Sequence, residues 1–564
     1  MKNKSIIKLS ICVIIVSLLF TLLSSISFGA MADNDSVGTL SELLNAIDSA
    51  QDGDIISISS NIVLEDNEIV IADKSITIEG NGHSISVPTP GLSEAGTYNA
   101  NPSQFRVFNI SGSEKTVEIN DLTIKGGAIP AVYDENQELL EEGLGGAIKN
   151  ADGILKLNSV SISNSLAGDS RENNGAGGGI YNTGTVFFKD CNISRNAAAY
   201  GGGFENIDGG RMFIENSTFS ENRSLSADGG GGAGENNGTS YLYINNSTFS
   251  NNKCSEYGGA IKNMGGASYI INSTFVGNVT TNAGAALALL GGNITTVNSL
   301  YAYNYKLDSS LENATLNDFD AISTSRKLVA YYSIFQAMPT NTRATKVACV
   351  SYSDDMIGDG VSNTLVTGGI LTKVLNADGS EMGTAMVFQP FLCKRNADSK
   401  TLTALLKNGS LAYGHGCRTS FSDGNGTPVI GYYNGTSWVS IVGSNPENYE
   451  VIKDQNYDDQ LTPRSVGAVV TYADNLFMLK VNSAAGGSVL GGTVYGDVYP
   501  AGTEITLTAI ANEGKKFVRW DYVLGGTGTA STSNPYTITL NQTTTIVPVF
   551  DDYIGYSVSY SGNG

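Results

Sequence analysis

Histidine is almost missing from this chain: two residues in 564. A His-based catalytic triad or a histidine-rich metal centre has nearly nothing to draw on. Basic residues are also scarce, 33 Lys and Arg against 54 Asp and Glu, for a net charge of −21. Such an acidic balance argues against nucleic acid and anionic lipid as partners. Proline contributes only 12 residues while glycine contributes 67, and 41% of the chain is hydrophobic. That composition describes an ordered, β-rich protein rather than a disordered one. Cysteine is sparse too, and Cys12 lies inside an N-terminal apolar run. The other five, Cys191, Cys254, Cys349, Cys393 and Cys417, are odd in number, widely spaced and form no CxxC. A disulfide framework or zinc site is therefore disfavoured, and buried thiols are expected. After Ala32 no apolar run approaches the length of a membrane span.

Residues 1–32 read as an export segment. Lys2, Lys4 and Lys8 precede the largely apolar Ile6–Leu23, and Ala30-Met31-Ala32 is a small-x-small cleavage site before Asp33. An uncleaved membrane anchor is the alternative. Cleavage would leave 30 basic and 54 acidic residues, a charge of −24.

What the chain has in abundance is repetition. Between residues 145 and 304 two motifs alternate. The first is glycine-rich and ends in Asn: GGAIKN at Gly145–Asn150, GGGIYN at Gly177–Asn182, GGGFEN at Gly201–Asn206, GGAGEN at Gly231–Asn236 and GGAIKN at Gly258–Asn263. The second places Asn six positions after Asn or Asp, as in Asn158–Asn164, Asp190–Asn196, Asn216–Asn222, Asn246–Asn252, Asn272–Asn278 and Asn298–Asn304. Its starts are 32, 26, 30, 26 and 26 residues apart. Short β-favouring runs lie between them: Ile154–Leu157, Val186–Phe188, Met212–Ile214, Tyr241–Ile244 and Tyr269–Ile271. Units this small cannot bury a core alone and must stack on their neighbours. The pattern predicts a parallel β-helix with one coil per repeat. A helical solenoid is poorly supported, because at helical spacing the apolar residues do not segregate to one face. Asn222, Asn252 and Asn278 should form one internal ladder, and Phe219, Phe249 and Phe275 one aromatic stack.

The alternation of GGA[I/L/V] at Gly258–Ile261 with FxxN at Phe219–Asn222, Phe249–Asn252 and Phe275–Asn278 resembles the repeats of chlamydial polymorphic outer-membrane proteins. That resemblance implies a right-handed β-helix on a bacterial surface, often adhesive, and implies nothing about catalysis.

Upstream, Thr39–Ala50 places Leu40, Leu43, Leu44 and Ile47 on one helical stripe, with Thr39 or Ser41 as cap. It precedes the strands Ile55–Ile58 and Ile69–Ile71, so it should cover the open end of the core. Ser75–Val87 reads as strand, Gly-Asn-Gly turn and strand, and resembles the first coils of pectate-lyase-like proteins. His83 at that turn reads as structural or solvated. Two excursions, Pro88–Gln104 and Pro130–Leu144, interrupt the early coils. The second carries Asp134, Glu135, Glu138, Glu141 and Glu142 without a base, and reads as a solvated acidic loop, with a cation-binding or ligand-facing loop as the alternative.

Beyond Asn304 the motifs fade while β-rich pieces continue at Leu328–Phe335, Val347–Tyr352, Leu365–Val374 and Ala385–Leu392. Leu405–Gly416 and Asp459–Ala468 resemble the closing motifs of choice-of-anchor Q proteins. Gly409, Ser410 and Gly416 match the first, and Asp459, Gln460, Arg464, Gly467 and Ala468 the second. The Pro and Asp expected in the first are absent, and Val466 replaces an acid. From Asn475 short strands alternate with glycine turns, and Gly514, Phe517, Trp520 and Phe550 resemble the bacterial repeat domain related to the internalin B repeat. This resemblance implies a small β-grasp-like module outside the cell, with Trp520 as core. The expected organisation is an export segment 1–32, a pectate-lyase-like right-handed parallel β-helix 33–474 of some fifteen coils, a repeat domain 475–551, and the start of a further repeat at 552–564.

No residue is assigned a catalytic, cofactor-binding or metal-ligating role. Catalysis on a β-helix needs clustered carboxylates, and the strongest acidic candidates are Asp354, Asp355 and Asp359, then Asp454, Asp458 and Asp459. Both groups read as loops, where Asp serves turns. No cofactor is expected, and nothing in the sequence supports calcium beyond its being chemically possible. The expected function is a secreted or cell-surface, adhesin-like, non-catalytic scaffold contacting polysaccharide, glycan or host cells. The alternative is a secreted polysaccharide lyase or glycoside hydrolase on the same fold.

Overall fold

The computed structural model describes residues 35–351 and 476–552, each with short gaps, together with 370–375, 381–387, 401, 431–433 and 438–440. The export segment, Cys349, Cys393, Cys417, both choice-of-anchor motifs, all six candidate aspartates and residues 553–564 lie outside the described residues.

One coil shows the plan. Ile180–Asn182 forms the first face, Thr185–Lys189 the second and Asn192–Ser194 the third, followed by the short segment Ala197–Ala198. Each strand pairs in parallel with the same strand of the coils before and after it. Parallel pairing between successive coils makes this a parallel β-helix. The second face carries twelve strands, from Asp35–Val37 to Ala344–Val347, linked by eleven pairings. At about 4.8 Å per rung they extend on the order of 50 Å. Parallel rungs are described as far as Ser351. The described pieces of 352–474 that pair do so as antiparallel hairpins, Ile370–Leu375 with Glu381–Val387 and Gly431–Tyr433 with Trp438–Ser440.

The motifs explain the corners. Between the second and third faces the chain turns on Asp190, Asn216, Asn246, Asn272 and Asn298, whose φ runs from +47° to +57°. This left-handed region is open mainly to Gly, Asn and Asp, which is why the second motif begins as it does. The Gly pair divides two tasks. Gly201 takes a φ of +59°, and a Cβ on Gly202 would lie 2.4 Å from the carbonyl oxygen of Arg223 in the next coil. One motif is out of register by a residue. In Asn158–Asn164 the corner is Ser159, with a φ of +56°, and Ser161 pairs with Asn192. The ladder position there falls on Ser165, whose N–H donates to Asn196 Oδ1 at 3.0 Å.

Asn196, Asn222, Asn252, Asn278 and Asn304 are fully buried and joined amide to amide at 2.9–3.1 Å. Each Oδ1 after the first also accepts the backbone N–H of the preceding rung's Asn at 3.0–3.1 Å. A second ladder runs through Asn150, Asn182, Asn206, Asn236 and Asn263 at 2.8–3.1 Å. A third, of hydroxyls, links the backbone N–H of Ser217, Ser247, Ser273 and Ser299 to the next rung's Ser Oγ at 3.1–3.2 Å. Between them Phe219, Phe249 and Phe275 stack at 5.0 and 4.8 Å within 6° of parallel. Tyr301 and Phe335 continue the column at 5.1 and 4.6 Å.

At the N-terminal end the helix Leu40–Ser49 is capped by Thr39, with Glu42 completing a capping box. Leu43 and Ile47 are buried, and Leu40 packs against the core. Leu44 departs from the expected stripe and is 40% exposed. It sits one residue round from Leu43, past the edge of the packed face.

The C-terminal domain places Leu476–Val481 between Asp497–Pro500 and Thr544–Asp552, parallel to the latter. Lys515–Leu524 adds on antiparallel, and a three-stranded sheet is built on Thr503–Ala511. Trp520 is fully buried, packs 5.5 Å from Phe517 and donates Nε1–H to the Ser533 carbonyl oxygen at 3.1 Å. It is core.

Removing a ring from the column leaves a cavity between two others, so Phe249→Ala should cost about 3–5 kcal/mol. Phe249→Asp should abolish the cooperative thermal transition of the helix. Calorimetry checks both, and an unchanged midpoint for the Asp variant would show that the ring is not core.

Candidate functional site

The outward positions of the first face are the fifth residues of the glycine-rich motif. In register they run Lys149, Tyr181, Glu205, Glu235, Lys262 and Ala288. Strand alternation would put such residues in water. Instead Glu205 and Glu235 are each 2% exposed and Lys262 is 4% exposed. The Lys262 stem folds back across Gly230, where a Cβ would meet its Cδ at 2.4 Å. Its Nζ lies 5.4 Å from the centre of the Tyr200 ring.

Lys262 Nζ and Glu235 Oε2 form an ion pair at 3.2 Å. Glu205, one rung away, has its Oε2 buried with no hydrogen-bond partner. Burial drives the Glu205 carboxyl well above the ordinary 4.5, and the charge of Glu235 adds to the effect, as do Glu142 and Asp208. Like charges in a dry site oppose each other's ionisation, while the Lys262 ammonium acts against the rise. Burial raises Glu235 as well, while Lys262 opposes the rise. The three groups can keep, pass or exchange protons among themselves.

The residues singled out from sequence fare differently. The acidic loop is an exposed antiparallel hairpin, Val132–Tyr133 with Leu139–Glu141. Asp134 accepts the N–H groups of Asn136 and Glu138 at 2.8 Å each, closing the turn, and these bonds lower its carboxyl. Here the acid serves the turn. His83 is half-buried at a corner. Cys191 and Cys254 are free, buried and pushed up to about 12 by that burial, which leaves them as unreactive thiols. Among the described residues no cluster of three or more His, Cys, Asp or Glu is arranged to hold a metal ion. The Glu205–Glu235–Lys262 group was not singled out from sequence, because strand alternation does not show whether an outward side chain is covered. Its only signal was Glu, Glu and Lys at one position of three successive motifs.

Residues 34–142 match the family described as a pectate lyase-like adhesive domain. Residues 477–553 match the divergent InlB B-repeat domain. No curated protein matches the chain. The N-terminal part of the parallel β-helix is thus similar to a pectate lyase-like adhesive domain, and the C-terminal domain to an internalin B-type repeat.

Because Glu205 is neutral when folded and ionises when unfolded, its contribution to stability is full below pH 4.5 and is lost as pH rises through its elevated folded value. Glu205→Gln removes that loss. The difference in thermal midpoint between the variant and the natural chain should therefore grow, in the variant's favour, from pH 4 to pH 8. A difference that stays flat with pH would show that Glu205 is ionised in the fold. Lys262→Met, which strands Glu235, should cost about 3–5 kcal/mol.

Proposed function

We propose that the chain is a secreted or cell-surface adhesin whose rigid β-helix contacts a glycan or host-cell surface without catalysis. The observation that carries this reading is the closure of the Glu205–Glu235–Lys262 group. This group places two carboxyls and an amine on one sheet face, and it is at most 4% exposed. A polymer has no path to it. The match of residues 34–142 to an adhesive domain supports the same reading. Export through residues 1–32 fits it, and among the described residues no helix is long and apolar enough to cross a membrane.

The contact element is the hairpin at 132–141. It lies within the matched stretch and presents Val132, Leu139 and Leu140 at 44%, 42% and 62% exposure. Glu135, Glu138 and Glu141 surround these apolar groups. A projection held by a stiff scaffold is where recognition concentrates. Its charge favours neutral or basic partner surfaces over anionic ones.

A glycan array and a cell-binding assay test the reading with the full chain and a variant whose residues 131–142 are replaced by Gly and Ser. Binding by the natural chain, lost in the variant at an unchanged melting midpoint, is the expected result. New unsaturated or reducing ends on pectin, alginate or chondroitin would overturn the non-catalytic assignment.

A further inference from the structure

We infer that Lys262 and Glu235 become joined by an isopeptide bond that staples two neighbouring coils, with Glu205 relaying the proton. The two groups sit on adjacent rungs in direct register, 27 residues apart in sequence. Nζ lies 3.2 Å from Oε2, in direct contact with the carboxyl group whose carbon it would attack. Both side chains are closed to solvent, so water neither competes for the acyl carbon nor reverses the reaction. A third group, the buried carboxyl of Glu205 with its unpartnered Oε2, stands on the rung beside Glu235. An ion pair needs no such neighbour, and as a bystander Glu205 only destabilises the site.

The chemistry closes without an added reagent. A proton passes from the Lys262 ammonium to the Glu235 carboxylate, as a dry environment favours, leaving a free amine and a neutral acid. Nζ attacks Cδ of Glu235 and the C–N bond forms. Glu205 donates its proton to the departing oxygen as the C–O bond breaks, then takes back the proton released by the nitrogen. One water leaves, and Glu205 ends as the acid it began. Two buried charges are exchanged for a neutral amide, which removes their desolvation cost. A covalent link between coils also restricts the unfolded chain as a disulfide does, in a protein whose described cysteines are both free. Coils tied in this way cannot peel apart under a pulling load, a property suited to a surface scaffold.

The full chain is weighed intact under denaturing conditions and compared with the mass set by its determined termini. The expected deficit is one water, about 18 Da, with a tryptic fragment in which the peptide bearing Glu235 is joined through uncleaved Lys262. Lys262→Arg keeps the charge but cannot condense, so it should show the full sequence mass and a lower melting midpoint. Glu205→Gln should likewise restore the full mass. A natural chain of full mass, with trypsin cutting after Lys262, would overturn the inference. So would a water loss that maps to a succinimide at Asp152-Gly153 or Asp208-Gly209.

Discussion

The structure depends on satisfying polar backbone at corners that lie in a dry interior. Each coil bends through left-handed residues, and a bend interrupts the strand pairing that would otherwise occupy the local N–H and C=O groups. A buried donor left unpaired costs about 1–3 kcal/mol, and a solenoid repeats the corner at every turn. Asn resolves this with one side chain. Asn252 Oδ1 accepts the backbone N–H and the amide of Asn222, while its own amide reaches the Phe219 carbonyl oxygen at 2.9 Å and Asn278 Oδ1 at 3.0 Å. The Ser ladder does the same at the neighbouring corner with hydroxyls. Phe249 then fits flat between Phe219 and Phe275, because rung spacing and ring stacking distance coincide.

Much of this was legible in the sequence because the constraint acts residue by residue. A left-handed corner asks for Asn or Asp, a close approach of coils asks for Gly, and a satisfied amide asks for Asn at a fixed offset. The Asn and Phe columns follow from that grammar. The slip at Asn158 shows its limit, since Asn-Ser reads as a corner while the backbone turns at Ser159. Tyr301 and Phe335 join the aromatic column although Asn298–Asn304 carries Tyr in place of Phe and Phe335 lies beyond the last motif. Tyr301 also keeps a 2.7 Å hydrogen bond between its hydroxyl and Thr296 Oγ1, which lets a polar ring replace Phe in the core.

The first face was not legible. Period-two alternation says which side of a strand a residue takes, but not whether another part of the chain covers that side. Glu205, Glu235 and Lys262 point away from the core and are buried nonetheless, with the Tyr200 ring 5.4 Å from Lys262 Nζ. The same difficulty affects the helix Leu40–Ser49, where the stripe pointed to four apolar residues and packing chose among them. A protein built this way places its interior polarity in ladders and closes the Glu205–Glu235–Lys262 group from solvent, while Val132, Leu139 and Leu140 of the 132–141 hairpin stay exposed.

The central claim is that Asn side chains of one coil hold the backbone of the coil before it. Hydrogen exchange at single-residue resolution addresses it directly. In the natural chain the backbone amides of Asn222, Asn252 and Asn278 should exchange as slowly as those of the strands beside them. Asn278→Ala should speed exchange at the amide of Asn252, whose acceptor is Asn278 Oδ1 at 3.0 Å, well before it affects the C-terminal repeat domain. Equal protection of the Asn252 amide in both proteins would contradict the account.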